Sequence, residues 1–179
     1  MSLEFDVVVL GGGPGGYVAA IKAAQEGYRT ALIEKHKLGG VCLNYGCIPT
    51  KTLLKTAKLY KEFQHAKVFG IDFPEGFGPS INWGQMMNRK DKVVHQLTSG
   101  VDQLMKHNKI SVFNAFGNAI NNENIQLDTG EILKYKYLII ATGSSTTMLA
   151  FPMGLGQRQR DRKSVVEGKS VYIGGGPFI

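Results

Sequence analysis

Cysteine is almost absent from this 179-residue chain, with only Cys42 and Cys47 present. A zinc site needs about four ligands, and His36, His65, His95 and His107 are too dispersed to complete one, so no metal is expected. Long hydrophobic runs are missing as well. No apolar stretch reaches the ~18 residues of a membrane span, and Met1-Ser-Leu-Glu-Phe-Asp6 runs into an apolar strand with no basic head or cleavage site. The expectation is a soluble, cytoplasmic protein with no membrane partner. Acidic side chains are the minority sign, 14 against 21 basic, for a net charge of +7. No nucleic-acid module accompanies that charge, and apart from Arg158-Gln-Arg-Asp-Arg-Lys163 the basic residues are scattered, so nucleic acid is not an expected partner. A basic surface favours polyanionic ligands and acidic proteins. Because lasting disulfides are rare in the cytoplasm, and no further ligands are at hand for a metal, the two cysteines are either a redox pair or incidental.

Glycine is abundant. The 23 glycines exceed the usual ~7% share and cluster at Gly11 to Gly16, Gly39 to Gly40 and Gly174 to Gly176, as expected where backbone must approach something closely. Phe5–Leu10 reads as a buried parallel strand, Tyr17–Glu26 as a helix stopped by Gly27, and Arg29–Glu34 as a second strand. Together they form a βαβ unit of about the ~30 residues typical of mononucleotide binding. A helix is predicted from near Pro49 past Leu59, because proline suits a first helical turn. Another is predicted over Trp83–His107, with Val93, Val94, Leu97, Val101, Leu104 and Met105 near helical spacing. Short strands are expected at Ser111–Phe116, Asn124–Leu127, Glu131–Lys134 and Tyr137–Ala141, separated by turn-forming Asn121-Asn-Glu-Asn and Asp128-Thr-Gly. Residues 151–169 lack periodicity, and Ser170–Gly176 reads as a strand entering a glycine turn.

Gly11-x-Gly13-x-x-Gly16 lies between a predicted strand and a predicted helix, the context that gives this spacing its meaning. Gly11 permits the tight turn, Gly13 lets a pyrophosphate approach the main chain, and Gly16 lets helix and strand pack closely. Free N–H groups at the helix start then face the phosphates. Glu34, at the end of the second strand, is placed to accept hydrogen bonds from a ribose diol, which favours FAD or NAD over NADP.

Cys42 and Cys47 are five positions apart. In a regular helix the rise alone would separate them by about 7.5 Å, beyond the ~6.8 Å limit for a disulfide. A bridge therefore needs distorted backbone, which Gly46 can supply. A helix starting near Pro49 would lower the Cys47 pKa, giving one exposed attacking thiol and one stabilised thiolate.

The run Gly39-Gly-Val-Cys42-Leu-Asn-Tyr-Gly-Cys47-Ile-Pro-Thr-Lys51 resembles the flavin-dependent disulfide reductases, and within them most closely the dihydrolipoamide dehydrogenases. Glutathione and mercuric reductases are more distant cousins. The resemblance covers roughly residues 4–150 and includes Tyr137-Leu-Ile-Ile-Ala-Thr-Gly-Ser144. It implies an α/β fold: a Rossmann-like FAD-binding domain with a central parallel sheet, helices and an added short β-meander, in a three-layer ββα arrangement. This domain would span 1–150, followed by a connection at 151–169 and the start of a truncated NAD-binding domain at 170–179.

The implied cofactors are FAD and, in the full-length enzyme, NAD. FAD would contact Gly11, Gly13, Gly16, Glu34 and Lys35, the Gly39, Gly40, Val41 and Cys42 segment, Lys51, the main chain near Gly117, and Thr142, Gly143 and Ser144. Cys47 would lie next to the flavin, Cys42 would exchange with dihydrolipoyl substrate, and Lys51 would stabilise the reduced flavin. The implied partners are lipoyl groups of 2-oxo acid dehydrogenase complexes and a second copy in a homodimer. The alternatives are a non-catalytic FAD-binding fragment and a glutathione or mercuric reductase relative. Some positions depart from the family pattern: Val41 stands where many relatives carry threonine, Tyr45 where a small aliphatic residue is expected between the cysteines, and Ile179 at the third glycine position of the Gly174-x-Gly176 turn.

Overall fold

The computed structural model describes residues 3–74, 76 and 78–144. The Ser170–Gly176 strand, the 151–169 connection and the basic run near Arg158 lie outside them. The described residues divide into two compact units, one formed by residues 3–40 with 101–144 and the other by those within 41–100.

The first unit is built on one six-stranded sheet. β1 (Leu3–Leu10) leads through α1 (Pro14–Gln25) to β2 (Thr30–Ile33), and β3 (Ser111–Phe113), β4 (Gly117–Ala119), β5 (Asn124–Leu127) and β6 (Ile132–Ile140) follow later in the chain. The strand order is β3-β2-β1-β6-β5-β4. β3, β2, β1 and β6 run parallel, while β5 and β4 continue the sheet antiparallel. All four β2 residues are buried, as are Val7, Val8 and Val9 of β1. That explains their unbroken β-branched and aliphatic run: a parallel strand covered on both faces has no polar side to present. Phe5, Val8, Ile33, Ile125 and Leu133 form the centre of one core cluster. Each such side chain contributes about 1.5–3 kcal/mol on burial. As expected, α1 stops before Gly27, which takes a positive φ just past the last turn.

Two strand expectations are corrected. Glu131–Lys134 and Tyr137–Ala141 are one strand, β6, because Ile132 to Lys134 pair with β5 while Leu133 to Ile140 pair with β1 in continuous register. No turn separates the halves. Conversely, Ser111–Phe116 is shortened: β3 ends at Phe113, and the next strand, β4, begins only at Gly117. Past that end, Asp128 accepts a hydrogen bond from the Phe116 N–H through Oδ1 and donates its own N–H to the Phe116 carbonyl. The short antiparallel strands expected beside the parallel sheet are thus present and are hydrogen-bonded to it through β6.

The second unit contains α2 (Gly40–Asn44), α3 (Cys47–Gln64), a single 3₁₀ turn (Ala66–Phe69) and the first part of α4 (Trp83–His107). α4 has the predicted limits, and of its apolar positions Val101 and Met105 are buried. α3 starts at Cys47, two residues before the proline that predicted it, and α2 was not expected at all. Arg89 of α4 donates a hydrogen bond to the Thr52 carbonyl of α3 at 3.3 Å.

Candidate functional site

In the first unit, three parallel strands bring their carboxyl ends together. The Gly11 N–H bonds the Ile33 carbonyl at 2.8 Å, the Ala141 N–H bonds the Leu10 carbonyl at 2.8 Å, and the Glu34 N–H bonds the Phe113 carbonyl at 2.9 Å. Gly11, Glu34 and Thr142 therefore follow β1, β2 and β6 at one edge. This is the end of an open α/β sheet where ligands bind, at the point where strand order reverses.

The turn after β1 fits a pyrophosphate. Gly11 has φ +106°, a conformation side chains rarely adopt, and a β-carbon on it would strike the Ala141 carbonyl. A β-carbon on Gly16 would strike the Gly11 carbonyl. At Gly13 the situation differs: φ is −72°, and the nearest atom to an added β-carbon would be Gly40 Cα, 3.9 Å away. Space for a β-carbon is therefore open in front of Gly13 alone among the three motif glycines. α1 opens there with Pro14 at its first position, no side-chain cap and no acidic residue in its first turn. Its unpaired N–H groups and positive dipole end suit an anion.

Glu34 is held by two amides. Gly12 N–H donates to Oε2 at 2.7 Å and His36 N–H to Oε1 at 2.7 Å. A carboxylate has about four acceptor sites, so two remain for a diol. This clamp was not legible in the motif, although the middle glycine of Gly11-Gly12-Gly13 was its one signal. Lys35 Nζ sits 5.6 Å from the centroid of the Phe116 ring. Gly39 N–H bonds the Gly12 carbonyl at 2.8 Å. Gly117 is buried, with Leu10 Cδ1 2.9 Å from where its β-carbon would be. Thr142, Gly143 and Ser144 are exposed.

The cysteine pair belongs to the second unit. The Val41 carbonyl accepts both the Tyr45 N–H at 2.8 Å and the Gly46 N–H at 2.7 Å, and α3 then restarts at Cys47 with Gly46 as its N-cap. The doubled acceptor interrupts the helix and supplies the distortion that five-residue spacing requires. Across the break, Cys47 neighbours the Cys42 thiol closely enough to act on it. Burial pushes the Cys42 pKa up, the Cys47 side chain adds to the rise, and the charge of Lys51 opposes it. Exposure is the reverse of expectation, because Cys47 is exposed and Cys42 half-buried. The reason is local: Cys47 opens α3 at the break, whereas Cys42 lies within α2 beside buried Leu43.

Among the described residues, no His, Cys, Asp or Glu group could hold a metal ion, and no helix is long and apolar enough to cross a membrane. A groove of about 610 Å³ between α3 and α4 is lined by Leu59, Phe63, Ile81 and Arg89 among others, and neither cysteine lines it.

A glycine cradle at the carboxyl edge of a parallel sheet defines a dinucleotide-type α/β fold, here in a chain that also carries two neighbouring cysteines. Residues 5–177 match the family described as pyridine nucleotide-disulphide oxidoreductase, and the chain belongs to that family. It is 47% identical over 166 residues to dihydrolipoyl dehydrogenase of Acholeplasma laidlawii, covering 93% of this chain and 48% of the relative. It is 47% identical over 154 residues to dihydrolipoyl dehydrogenase of Chlamydia trachomatis, covering 85% and 32%. A solved structure, the Cu(II) complex of the HOCl-induced flavoprotein disulfide reductase RclA from Escherichia coli, superposes with a TM-score of 0.66 at 27% identity, covering 82% of this chain and 30% of that one. The chain thus spans about half, or less, of the length of these relatives.

Proposed function

We propose that this chain is the FAD-binding part of a dihydrolipoyl dehydrogenase, a disulfide oxidoreductase that oxidises dihydrolipoyl groups with NAD as final acceptor. The observation that carries this reading is the helix break after Val41, which sets Cys42 of α2 and Cys47 at the start of α3 on either side of one tight turn. The names of the relatives point to the lipoyl substrate.

In this reading residues 1–150 form the FAD-binding domain, 151–169 connect, and 170–179 open an NAD-binding domain. Gly11, Gly13 and Gly16 hold the pyrophosphate, and Glu34 holds the ribose, with Lys35 beside it. Gly39, Gly40, Val41, the main chain near Gly117, and Thr142 to Ser144 line the remainder. Val41 has no hydroxyl, so only its backbone can serve the phosphates.

Within the chain, the chemistry is thiol–disulfide exchange. With Cys42 and Cys47 oxidised, a substrate thiolate attacks Cys42 Sγ and Cys47 leaves as thiolate. The second substrate thiolate then attacks the sulfur bound to Cys42. Cys42 departs with the electron pair, and the substrate leaves as a cyclic disulfide. Burial favours the protonated form of Cys42 in the reduced pair, and the exposed Cys47 would be the thiol that serves a bound flavin. Lys51 supplies positive charge where reduction places negative charge. Bound FAD supplies two-electron acceptance and its delivery as hydride to NAD. A cytoplasmic setting, lipoyl groups of 2-oxo acid dehydrogenase complexes as partners, and a homodimer complete the reading.

The test is a visible spectrum of the FAD-reconstituted chain before and after one equivalent of dithiol without oxygen. A long-wavelength band that is lost in Cys47→Ser and kept in Cys42→Ser supports the reading. Stoichiometric FAD with no dithiol-dependent change would overturn it.

A further inference from the structure

The groove between α3 and α4 belongs wholly to the second unit, and all its lining residues lie within 56–92. α3 lines it from Thr56 to Phe63, and α4 from Gln85 to Lys92. At the helical rise each wall is therefore about 10 Å long, or two turns. Leu59, Phe63 and Ile81 line it while 43%, 47% and 52% exposed. One such side chain on a surface is ordinary. Several around one concave space of about 610 Å³ mark an interaction site.

Charge in the groove has one sign. Arg89 and Lys92 are its two charged lining residues, and both are basic. Arg89 uses one N–H on the Thr52 carbonyl, which leaves most of its five donors open. Among the described residues, neither cation has an ion-pair partner. The carboxylates that α3 and α4 carry in this unit are engaged elsewhere, Glu62 with Lys58 at 3.8 Å and Asp91 with Lys90 at 2.7 Å. An apolar groove with two unneutralised cations is complementary to an apolar stripe flanked by carboxylates.

We propose that this groove docks an acidic amphipathic helix of a partner protein. Two turns of helix match the length of both walls, and apolar residues at i, i+3 or i+4, and i+7 meet Leu59, Phe63 and Ile81. Carboxylates beside that stripe pair with Arg89 and Lys92, which selects the partner and makes its encounter salt-sensitive. No residue of the groove belongs to the glycine cradle or the cysteine turn, so this docking is independent of FAD.

The experiment titrates the full chain into a fluorescein-labelled peptide, two repeats of Leu-Glu-Glu-Leu-Leu-Glu-Glu, and follows its anisotropy. The same peptide with lysine in place of glutamate is the charge control. Wild type is expected to bind the acidic peptide and not the basic one, more weakly as salt rises. Lys92→Glu and Leu59→Gln should each weaken binding by roughly tenfold. Lys67→Glu, on the 3₁₀ turn outside the groove, should change it by less than about twofold. Both groove side chains are exposed, and glutamine keeps a helix propensity close to leucine, so thermal melts should match wild type. Absence of binding to the acidic peptide, or equal weakening by Lys67→Glu, overturns the docking. Self-association of the wild type in sedimentation, abolished by Leu59→Gln, overturns it too and gives the groove to a second copy of this chain.

Discussion

Gly16 packs directly on the Gly11 carbonyl, and a β-carbon on Gly16 would overlap that oxygen. The carbonyl cannot yield, since Gly11 is fixed by its own N–H bond to Ile33 and by the Ala141 backbone above it. Gly16→Ala is therefore expected to cost about 3 kcal/mol, the upper end of typical overpacking. Gly13→Ala should behave in the opposite way. Its β-carbon meets open space at an ordinary φ, so the melting temperature should hold while FAD retention falls. Thermal melts paired with flavin content separate the two. Equal loss of both properties in Gly13→Ala would show that Gly13 serves folding.

Glu34 should show a double effect. Glu34→Gln keeps one oxygen and turns an amide toward one of the two N–H groups that now donate to the carboxylate. A loss of about 1–2 kcal/mol follows from one unsatisfied partner. FAD affinity should weaken in parallel, read by titrating apoprotein with FAD. Unchanged affinity would remove Glu34 from the ribose site.

Thiol reactivity should shift in opposite directions in two variants. Cys47→Ala removes a side chain that raises the Cys42 pKa, so the pH profile of Cys42 alkylation should move down. It should stop above that of a free thiol, because burial, the largest cause, remains. Lys51→Met removes the opposing charge and should move the profile up. Mass spectrometry of iodoacetamide-labelled peptides across a pH series reads both.

An exposed ion pair gives an acid-side prediction. The Lys136 side chain, first, and the Arg29 N–H, second, hold the Asp6 carboxyl below its ordinary value. A carboxylate whose folded pKa is depressed stabilises the fold above its unfolded pKa, and the benefit disappears as pH falls through the folded value. Lys136→Met should therefore melt slightly below wild type near neutrality, with the gap closing in acid and in high salt. A gap constant with pH would assign the effect to the aliphatic stem of Lys136.

The first βαβ unit was legible because its signals are local. Phe5–Leu10, the glycine turn and Thr30–Ile33 are each written in contiguous residues, and Gly27 marks the helix end. The 25-residue α4 was legible from its periodicity. What escaped depends on partners far away in sequence. Nothing within Ile132–Ile140 says that Lys134 and Tyr137 share a strand, because continuity there comes from β1, about 130 residues earlier. The segment between β3 and β4 is held at Phe116 by Asp128, and α3 starts at a break made by the Val41 carbonyl rather than at Pro49. In the site, residue types showed which groups could act. The clamp on Glu34 and the exposures of Cys42 and Cys47 are three-dimensional facts that spacing does not contain.

β6 joins two kinds of neighbour, one nearby in the chain and one distant. Its hairpin with β5 closes a loop of only a few residues, while its pairing with β1 must wait for a partner made at the other end of synthesis. During translation, β1 and β2 can assemble early, yet the far edge of β1 stays open until Ile140 has emerged. That edge is Val7-Val-Val-Leu10, an apolar strand edge of the kind that recruits foreign strands. Expression yield of this chain should thus depend on how quickly β6 arrives, so shortening the chain anywhere before Ile140 would turn a slow step into a permanent exposure.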